Sequence, residues 1–146
     1  MSTKVLFDTS ALIPGLLETH PNHKACMSWL SKGYQGDFQI GIPAHCLAEV
    51  YAGLTAMPSS PKIKPVFASQ AIDDLIKHAK IIELTSLDYQ NAIERCVLAN
   101  LTSGVVYDSL IAIAAEKFKA DCLLTYNSRD FSRLLGKRIS IMKSPG

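Results

Sequence analysis

The strongest constraint on the fold of this chain is an alternation of short apolar segments with longer amphipathic ones. Segments apolar enough for buried strands occur at residues 4–7, 39–42, 80–84 and 122–125, with a candidate edge strand at 140–142. Helical patterns separate these segments. Short buried strands that alternate with helices predict an α/β fold, in which a parallel sheet is covered by helices on both faces. Binding sites in such sheets form at the carboxyl ends of the strands.

The predicted helices follow from apolar spacing and from capping residues. The first follows a cap at Asp8, Thr9 or Ser10, and Pro14 leaves its start open, since proline suits only the first turn. The others cover 23–31, run from Pro43 to about Leu54, cover 68–78, run from a cap at Thr85 or Ser86 to about Leu101, and cover 107–118. Residues 57–65 (MPSSPKIKP) contain three prolines and are predicted to form an extended loop.

The composition is typical of one globular domain spanning residues 1–146. Fifteen basic and thirteen acidic residues leave a net charge of +2, so any nucleic acid would be held by a local basic patch. Neither an export signal nor a membrane-spanning apolar run is predicted. The four cysteines lack CxxC spacing and are interpreted as reduced core residues of a cytoplasmic protein.

Asp8 and Asp108 have ordinary structural explanations as well as functional ones. Asp8 follows the first predicted strand, where it could cap a helix, although Thr9 and Ser10 offer the same capping oxygen. Asp108 opens a helix that is apolar all round through Ala115, and an acid is favoured there by the helix dipole. Neither residue indicates function by itself.

Glu49 is harder to explain as a surface residue. Its helix has an apolar stripe with i, i+3, i+4, i+7 spacing, formed by Leu47, Val50, Tyr51 and Leu54. Glu49 lies on the opposite face among alanines and a glycine, with His45 as the other polar group. A face of small residues indicates close packing or binding, and a lone acid there needs a partner because an unpaired buried charge is costly.

The segment after the fourth predicted strand holds the remaining candidates. Asn127 or Ser128 could cap a helix, and Asp130 would then be a favourable first-turn residue. In the functional alternative, Asp130 or Asn127 reaches the mouth of a site at the strand ends. Four acids that converge there cannot all be ionised without a cation, and oxygen ligands favour Mg²⁺ or Mn²⁺ over zinc.

Four segments together resemble the PIN domain family and, within it, the VapC-type toxins of bacterial toxin–antitoxin pairs. They are residues 5–10 (VLFDTS), 47–54 (LAEVYAGL), 107–112 (YDSLIA) and 124–131 (LTYNSRDF), which together span nearly the whole chain. Each is weak alone, but the order and the intervals are specific. The resemblance implies a three-layer α/β/α sandwich with a central parallel sheet of about four to five strands.

The resemblance also implies an activity, a cofactor and partners. It implies a Mg²⁺- or Mn²⁺-dependent endoribonuclease that hydrolyses RNA phosphodiester bonds, inhibited by a cognate antitoxin protein whose segment fills the active-site groove. A homodimer is expected, supported by helices over residues 23–55.

The resemblance assigns roles residue by residue. Asp8, Glu49 and Asp108 match the family's three most regular acids, with Asp8 and Asp108 as the first choice for direct metal ligands. The fourth position is shared between Asn127 and Asp130. Candidates for substrate contact are Arg129, which could neutralise a phosphate, and Thr9 and Ser10.

Three rival interpretations are weaker. A haloacid-dehalogenase-like phosphatase needs a second Asp two residues after the first, where this chain has Ser10. A receiver domain needs paired acids at the end of the first strand, where Phe7 precedes a single Asp8. A non-catalytic PIN-like interaction domain has no need to keep all three main acids.

Overall fold

The computed structural model describes residues 2–58 and 61–146. Within these residues the chain forms five strands and seven α-helices. The strands are β1 (Lys4–Phe7), β2 (Gln39–Pro43), β3 (Ala79–Ile82), β4 (Cys122–Leu124) and β5 (Met142–Lys143). The helices are α1 (Thr9–Leu16), α2 (His23–Tyr34), α3 (Ala44–Ala56), α4 (Pro65–His78), α5 (Ser86–Leu98), α6 (Val105–Phe118) and α7 (Ser128–Leu134). A 3-10 helix (Gly136–Ile141) precedes β5.

The strands form one parallel sheet in the order β3-β2-β1-β4-β5, which confirms the predicted α/β class. From β1 the chain builds outward to β2 and β3, and it then crosses to β4 and β5 on the other side. This reversal makes the carboxyl ends of β1 and β4 a topological switch point, the usual place for a binding site in an open parallel sheet.

The helices pack in two groups. In the first group α1 packs on α2 and on α3, and α3 packs on α4; in the second group α6 packs on α5 and on α7. Right-handed crossovers in opposite directions from β1 place the two groups on opposite faces of the sheet. The fully buried side chains include Phe7, Leu12, Ile42, Leu123 and Phe131, so the core runs through the sheet into both helical layers.

Helix α6 is buried from Ser109 to Ala115, as its all-round apolar sequence predicts. It contacts β1, β2 and β3. Phe118 at its end packs over Gly41 of β2, where any side chain would collide with the ring. Close packing of α6 on the sheet brings its first turn, and therefore Asp108, to the carboxyl ends of the strands.

Several boundaries differ from the sequence-based predictions. Helix α4 begins at Pro65 rather than at 68, because proline suits the first position of a helix. Helix α5 ends at Leu98 rather than near Leu101, and Asn100 has a left-handed φ of 53° in the turn that follows. Part of the predicted loop, residues 59 and 60, lies outside the described residues.

Two further predictions concern cysteines and membranes. In the described part of the chain all four cysteines are free; Cys26, Cys46 and Cys96 are buried and Cys122 is half-buried. Among the described helices, none combines the length and the apolarity needed to span a bilayer.

Candidate active site

Asp8 lies at the carboxyl end of β1, where its backbone N–H donates to the carbonyl of Leu124 in β4 at 3.0 Å. Its side chain is buried, at 5% exposed. The residue occupies the N-cap position of α1, yet its carboxylate makes no capping hydrogen bond to that helix within the described structure. Asp8 therefore stands at the N-cap of α1, while its carboxylate also contacts side chains outside the capping pattern.

Two hydroxyl groups hold the Asp8 carboxylate. Ser10 Oγ donates to Asp8 Oδ2 at 2.7 Å, and Thr125 Oγ1 donates to the same oxygen at 2.8 Å. Burial raises the pKa of Asp8 above its ordinary value, and hydrogen bonds from the two hydroxyls and interactions with the backbone N–H groups of Thr9 and Ser10 offset only part of that rise. The carboxylate is thus fixed in position but lacks a compensating positive charge among the described residues.

Thr125 connects β1 to the loop after β4, and no sequence pattern pointed to it. Its hydroxyl accepts a hydrogen bond from the Asn127 N–H at 2.9 Å, while Ser10 Oγ accepts one from the Tyr126 N–H at 3.0 Å. Thr125 is 1% exposed, so its hydroxyl forms these hydrogen bonds inside the protein, where it links Asp8 to the segment after β4. Its position directly after an apolar strand was the available signal.

We expect Thr125→Val to lower the free energy of unfolding by about 1.5–3 kcal/mol, because it removes a hydrogen bond to a buried charged group at nearly constant shape. Urea denaturation measures the loss. Thr125→Ser is the matched control, since it keeps the hydroxyl and removes only the methyl. A loss in Thr125→Ser together with no loss in Thr125→Val would mean that methyl packing, and not the bond to Asp8, stabilises this position.

Glu49 lies in the second turn of α3 and its side chain is 38% exposed. Burial raises the pKa of Glu49, and the charge of Asp8 raises it further, so the two carboxylates are electrostatically coupled. Glu49 Oε1 lies 3.3 Å from His45 Nε2 but has no partner of hydrogen-bond geometry among the described residues. Burial lowers the pKa of His45, which favours a neutral ring that does not neutralise Glu49.

The predicted stripe of α3 is partly wrong. The buried face is formed by Cys46, Val50 and Leu54, whereas Tyr51 is 41% exposed. The stripe is rotated toward the cysteine because α1 packs against this side of α3, which spacing within α3 cannot reveal. Gly53 allows that approach, since any side chain there would meet Ile13 of α1.

Asp108, in the first turn of α6, is the acid on which the others converge. Its pKa is raised to about 7, by burial first and then by the charges of Asp8, Asp130 and Glu49 in that order. The Asn127 side chain lowers this pKa by donating from Nδ2 to Asp108 Oδ2 at 3.2 Å. The structure therefore brings the four predicted acids together at one rim.

Asp130, Asn127 and Arg129 come from the start of α7. Asp130 Oδ1 lies 3.1 Å from Arg133 Nη2, a cation one turn along the same helix that the sequence analysis did not single out. Asn127 is the N-cap residue of α7, but its side chain bonds Asp108 and makes no capping hydrogen bond within the described chain. Arg129 is exposed beside this rim.

The remaining two predicted residues lie in the first turn of α1. Ser10 is directed at Asp8 and not toward solvent. Thr9 has a half-buried side chain whose hydroxyl oxygen is buried. Both residues therefore contact the carboxylate of Asp8, Ser10 through its hydroxyl and Thr9 through its backbone N–H.

The donor set fits a hard divalent cation. The carboxylates come from four elements, burial and then the charges of neighbouring carboxylates raise the pKa of Asp108 and Glu49, and Glu49 Oε1 is buried without a hydrogen-bond donor among the described residues. A cation of charge two would relieve the repulsion and satisfy that oxygen. Asp8, Glu49, Asp108 and either Asp130 or Asn127 are the side chains that could hold it.

Comparisons with known proteins agree with the fold and with its boundaries. The PIN domain family model matches residues 5–136. Ribonuclease VapC27 of Mycobacterium tuberculosis is 30% identical over 129 residues, which cover 88% of each chain.

Two solved structures share the fold at lower identity. VapC20 of Mycobacterium tuberculosis, described as a Sarcin-Ricin loop cleaving toxin, has a TM-score of 0.69 at 14% identity and covers 88% of this chain and 93% of its own. A toxin–antitoxin complex from Klebsiella pneumoniae has a TM-score of 0.64 at 20% identity, covering 97% of this chain and 98% of the other. The α/β/α architecture of the chain thus agrees with these neighbours over almost its whole length.

Proposed function

The chain belongs to the PIN domain family, and we propose that it is a metal-dependent endoribonuclease that acts as the toxin of a type II toxin–antitoxin pair. The convergence of Asp8, Glu49, Asp108 and Asp130 at the switch point of the sheet carries this proposal: burial raises the pKa of Asp108, and the charges of the other three acids raise it further. The 30% identity to a named VapC ribonuclease supports RNA as the substrate.

Asp8 and Asp108 would bind Mg²⁺ or Mn²⁺ directly, with Glu49 beside them. When bound, such an ion supplies Lewis-acid activation of water and neutralises charge on the phosphate oxygens. Asp130 is the preferred fourth carboxylate. The hydrogen bond from Asn127 Nδ2 to Asp108 supports an orienting role for Asn127 in place of direct ligation.

The protein side chains have distinct tasks in this mechanism. Ser10 and Thr125 both donate to Asp8 Oδ2 and hold the carboxylate in place. Glu49, with a raised pKa and an oxygen free of hydrogen-bond donors among the described residues, accepts a proton from the attacking water. The water oxygen bonds to phosphorus while the bond to the leaving 3′ oxygen breaks, and that oxygen takes a proton from solvent to become a hydroxyl. Arg129, exposed at the rim, would contact a neighbouring phosphate.

The activity is tested by incubating the purified full chain with total bacterial RNA, including ribosomal RNA. We expect discrete fragments with MgCl₂ or MnCl₂ and none with excess EDTA, because the acids need the cation to ionise together. Mapping the fragment ends identifies the cleaved sequences. Equal cleavage with and without EDTA would exclude the metal-dependent mechanism.

We further propose an antitoxin partner, on the precedent of the Klebsiella pneumoniae complex. The partner would cover the acid cluster, because a cationic side chain, like a metal ion, would stabilise the ionised forms of four neighbouring carboxylates. Co-purification with the product of an adjacent small gene, and loss of RNA cleavage in that complex, are the expected results.

A homodimer is proposed through a different surface from the one predicted. Within residues 23–55 the exposed large apolar side chain is Tyr51, whereas α5 exposes Leu87, Ile93, Val97 and Leu98. Val97 and Leu98 are 71% and 80% exposed. An apolar helix face of this kind is more often an interface than a solvated surface.

We expect the parent chain to have the mass of a dimer in dilute solution, and Val97→Glu/Leu98→Glu to have that of a monomer, because the charges would be buried without partners. Multi-angle light scattering measures both. Val66→Glu/Phe67→Glu, on the exposed start of α4, is the matched control. A monomeric parent would remove the dimer proposal.

A further inference from the structure

A second group of metal-ligating side chains lies on α3 beside the acid cluster. Glu49 lies one turn after both His45 (i, i+4) and Cys46 (i, i+3), the two spacings that place side chains next to each other on a helix. Each offers one ligand atom, and the three atoms lie within 4.8 Å of one another. Asp8 adds negative charge nearby, since it raises the pKa of both Cys46 and Glu49.

The spacing suits one small ion. His45 Nε2 lies 3.3 Å from Glu49 Oε1 and 3.9 Å from Cys46 Sγ. A tetrahedral Zn²⁺ with its usual bond lengths places its nitrogen, oxygen and sulfur ligands roughly 3–4 Å apart. The three side chains therefore need little movement to reach a common ion.

Unsatisfied hydrogen-bonding capacity in this group also favours a bound metal ion. Glu49 Oε1 is buried without a hydrogen-bond partner among the described residues, and His45 Nε2 lies beside it with no carboxylate hydrogen bond of its own. These groups make few hydrogen bonds with the protein around them, although burial makes such bonds valuable.

The chemistry of the set differs from that of the acid cluster. Mg²⁺ and Mn²⁺ prefer oxygen ligands, whereas a thiolate with an imidazole selects Zn²⁺ and similar borderline ions. Burial keeps the Cys46 thiol protonated in the absence of metal. On binding, the S–H bond breaks, a sulfur–metal bond forms, and the proton leaves to solvent.

We propose that His45, Cys46 and Glu49 form a binding site for a thiophilic divalent ion, with Zn²⁺ as the biological example, and that this ion inhibits the enzyme by withdrawing Glu49 from the acid cluster. Zinc binding does not depend on the proposed ribonuclease function, whereas the inhibition rests on that function. Zinc would then inhibit by occupying the carboxylate that accepts the proton of the attacking water, and not by displacing magnesium from Asp8 and Asp108.

Co²⁺ titration of the reduced, metal-free full chain in the presence of excess MgCl₂ tests the binding. We expect a thiolate-to-cobalt charge-transfer band that saturates at one ion per chain and is abolished by Zn²⁺. Calorimetry with ZnCl₂ in buffers of different ionisation enthalpy should show release of about one proton per ion. Absence of the band, or a band unaffected by Zn²⁺, would overturn the site.

Paired cysteine variants locate the ligand. Cys46→Ala is expected to lose the band and to weaken Zn²⁺ binding at least about tenfold. Cys96→Ala, which removes another buried thiol on α5, should keep both. If Cys46→Ala does not fold, His45→Gln provides the measurement, with Zn²⁺ binding again weakened about tenfold. Retention of the band in a folded Cys46→Ala variant contradicts the proposal.

Inhibition is measured separately, as Mg²⁺-dependent RNA cleavage over a range of ZnCl₂ concentrations. The parent and Cys96→Ala should be inhibited, whereas Cys46→Ala should cleave normally and resist Zn²⁺. Equal inhibition of Cys46→Ala and the parent would refute the inhibitory role. A chain that shows the cobalt band but cleaves no RNA would contradict the proposed function and leave the metal site standing.

Discussion

Replacing Asp8 with asparagine is expected to lower the rate of Mg²⁺-dependent RNA cleavage by about 10³-fold, the scale of losing one preorganised charge in a catalytic site. Asparagine keeps the shape and can still accept from Ser10 and Thr125, so the hydrogen-bonded frame remains. It removes the negative charge that a cation at the end of β1 would need. The loss should appear as initial rates on a single RNA fragment at saturating MgCl₂.

Asp37→Asn is the matched control for this change. Asp37 is exposed in the turn before β2, at the amino end of the sheet. It carries the same charge and lies far from the acid cluster, so its replacement should leave the rate unchanged. If pure Asp8→Asn protein cleaves within a factor of ten of the parent, Asp8 is not a metal ligand of the reaction.

Replacing Asp108 with asparagine is expected to stabilise the metal-free protein at pH 8 while it abolishes cleavage. We expect the melting temperature to rise by roughly 3–6 °C, from about 1–2 kcal/mol after allowance for solvent screening of a half-buried group. The physical reason is that Asp108 is ionised at pH 8 among three other carboxylates. Asparagine keeps the contact with Asn127 and carries no charge.

The pH dependence follows from the direction of the pKa shift. In the folded protein the pKa of Asp108 is about 7, above its ordinary value of 3.8, so the folded state holds a proton that the unfolded state has lost. Stability from this group is complete below about pH 4 and is lost as the pH rises to about 7. The stabilisation of Asp108→Asn should therefore be largest at pH 8 and small at pH 4.

Asp88 provides a control of opposite sign. Its hydrogen bond from Lys117 lowers its pKa, so its charge stabilises the folded state at neutral pH. Asp88→Asn should lower the melting temperature at pH 8, and the difference should shrink as the pH falls. Thermal melts of both variants in EDTA and in MgCl₂ complete the comparison. Magnesium should stabilise the parent but not Asp108→Asn, through ligand linkage.

A melting temperature for Asp108→Asn that equals the parent value at pH 8 in EDTA would show that the four acids do not repel one another. The convergence of the acids would then fail as the basis of the metal site. Loss of cleavage alone would not rescue it, because many substitutions inactivate an enzyme by other means.

The order of strands and helices was predictable from sequence because burial periodicity is local. The apolar segment before Asp8 and the apolar helix after Asp108 could be recognised without knowledge of their neighbours. Because sites form at the carboxyl ends of parallel strands, the acids just after strands or at the starts of helices were the predicted site residues. The resemblance to the PIN domain family added the expectation that those acids converge.

Other features depended on contacts between distant parts of the chain. Thr125 donates to Asp8 across 117 sequence positions, and no periodicity links the two. The same holds for Asn127 and Asp108, which are 19 residues apart on different elements. The rotation of α3 that buries Cys46 comes from packing on α1, so the spacing within α3 placed Tyr51 wrongly.

The sequence by itself thus determined which segments form the sheet, and which acids stand at its carboxyl edge, because both follow from hydrophobic pattern along the chain. Only the tertiary structure decided what each carboxylate touches. Asp8 is held by two hydroxyls, Asp108 is repelled by its neighbours, and Glu49 faces a histidine and a thiol. Hydrogen bonds and repulsion act over a few ångströms, and chain folding sets those distances.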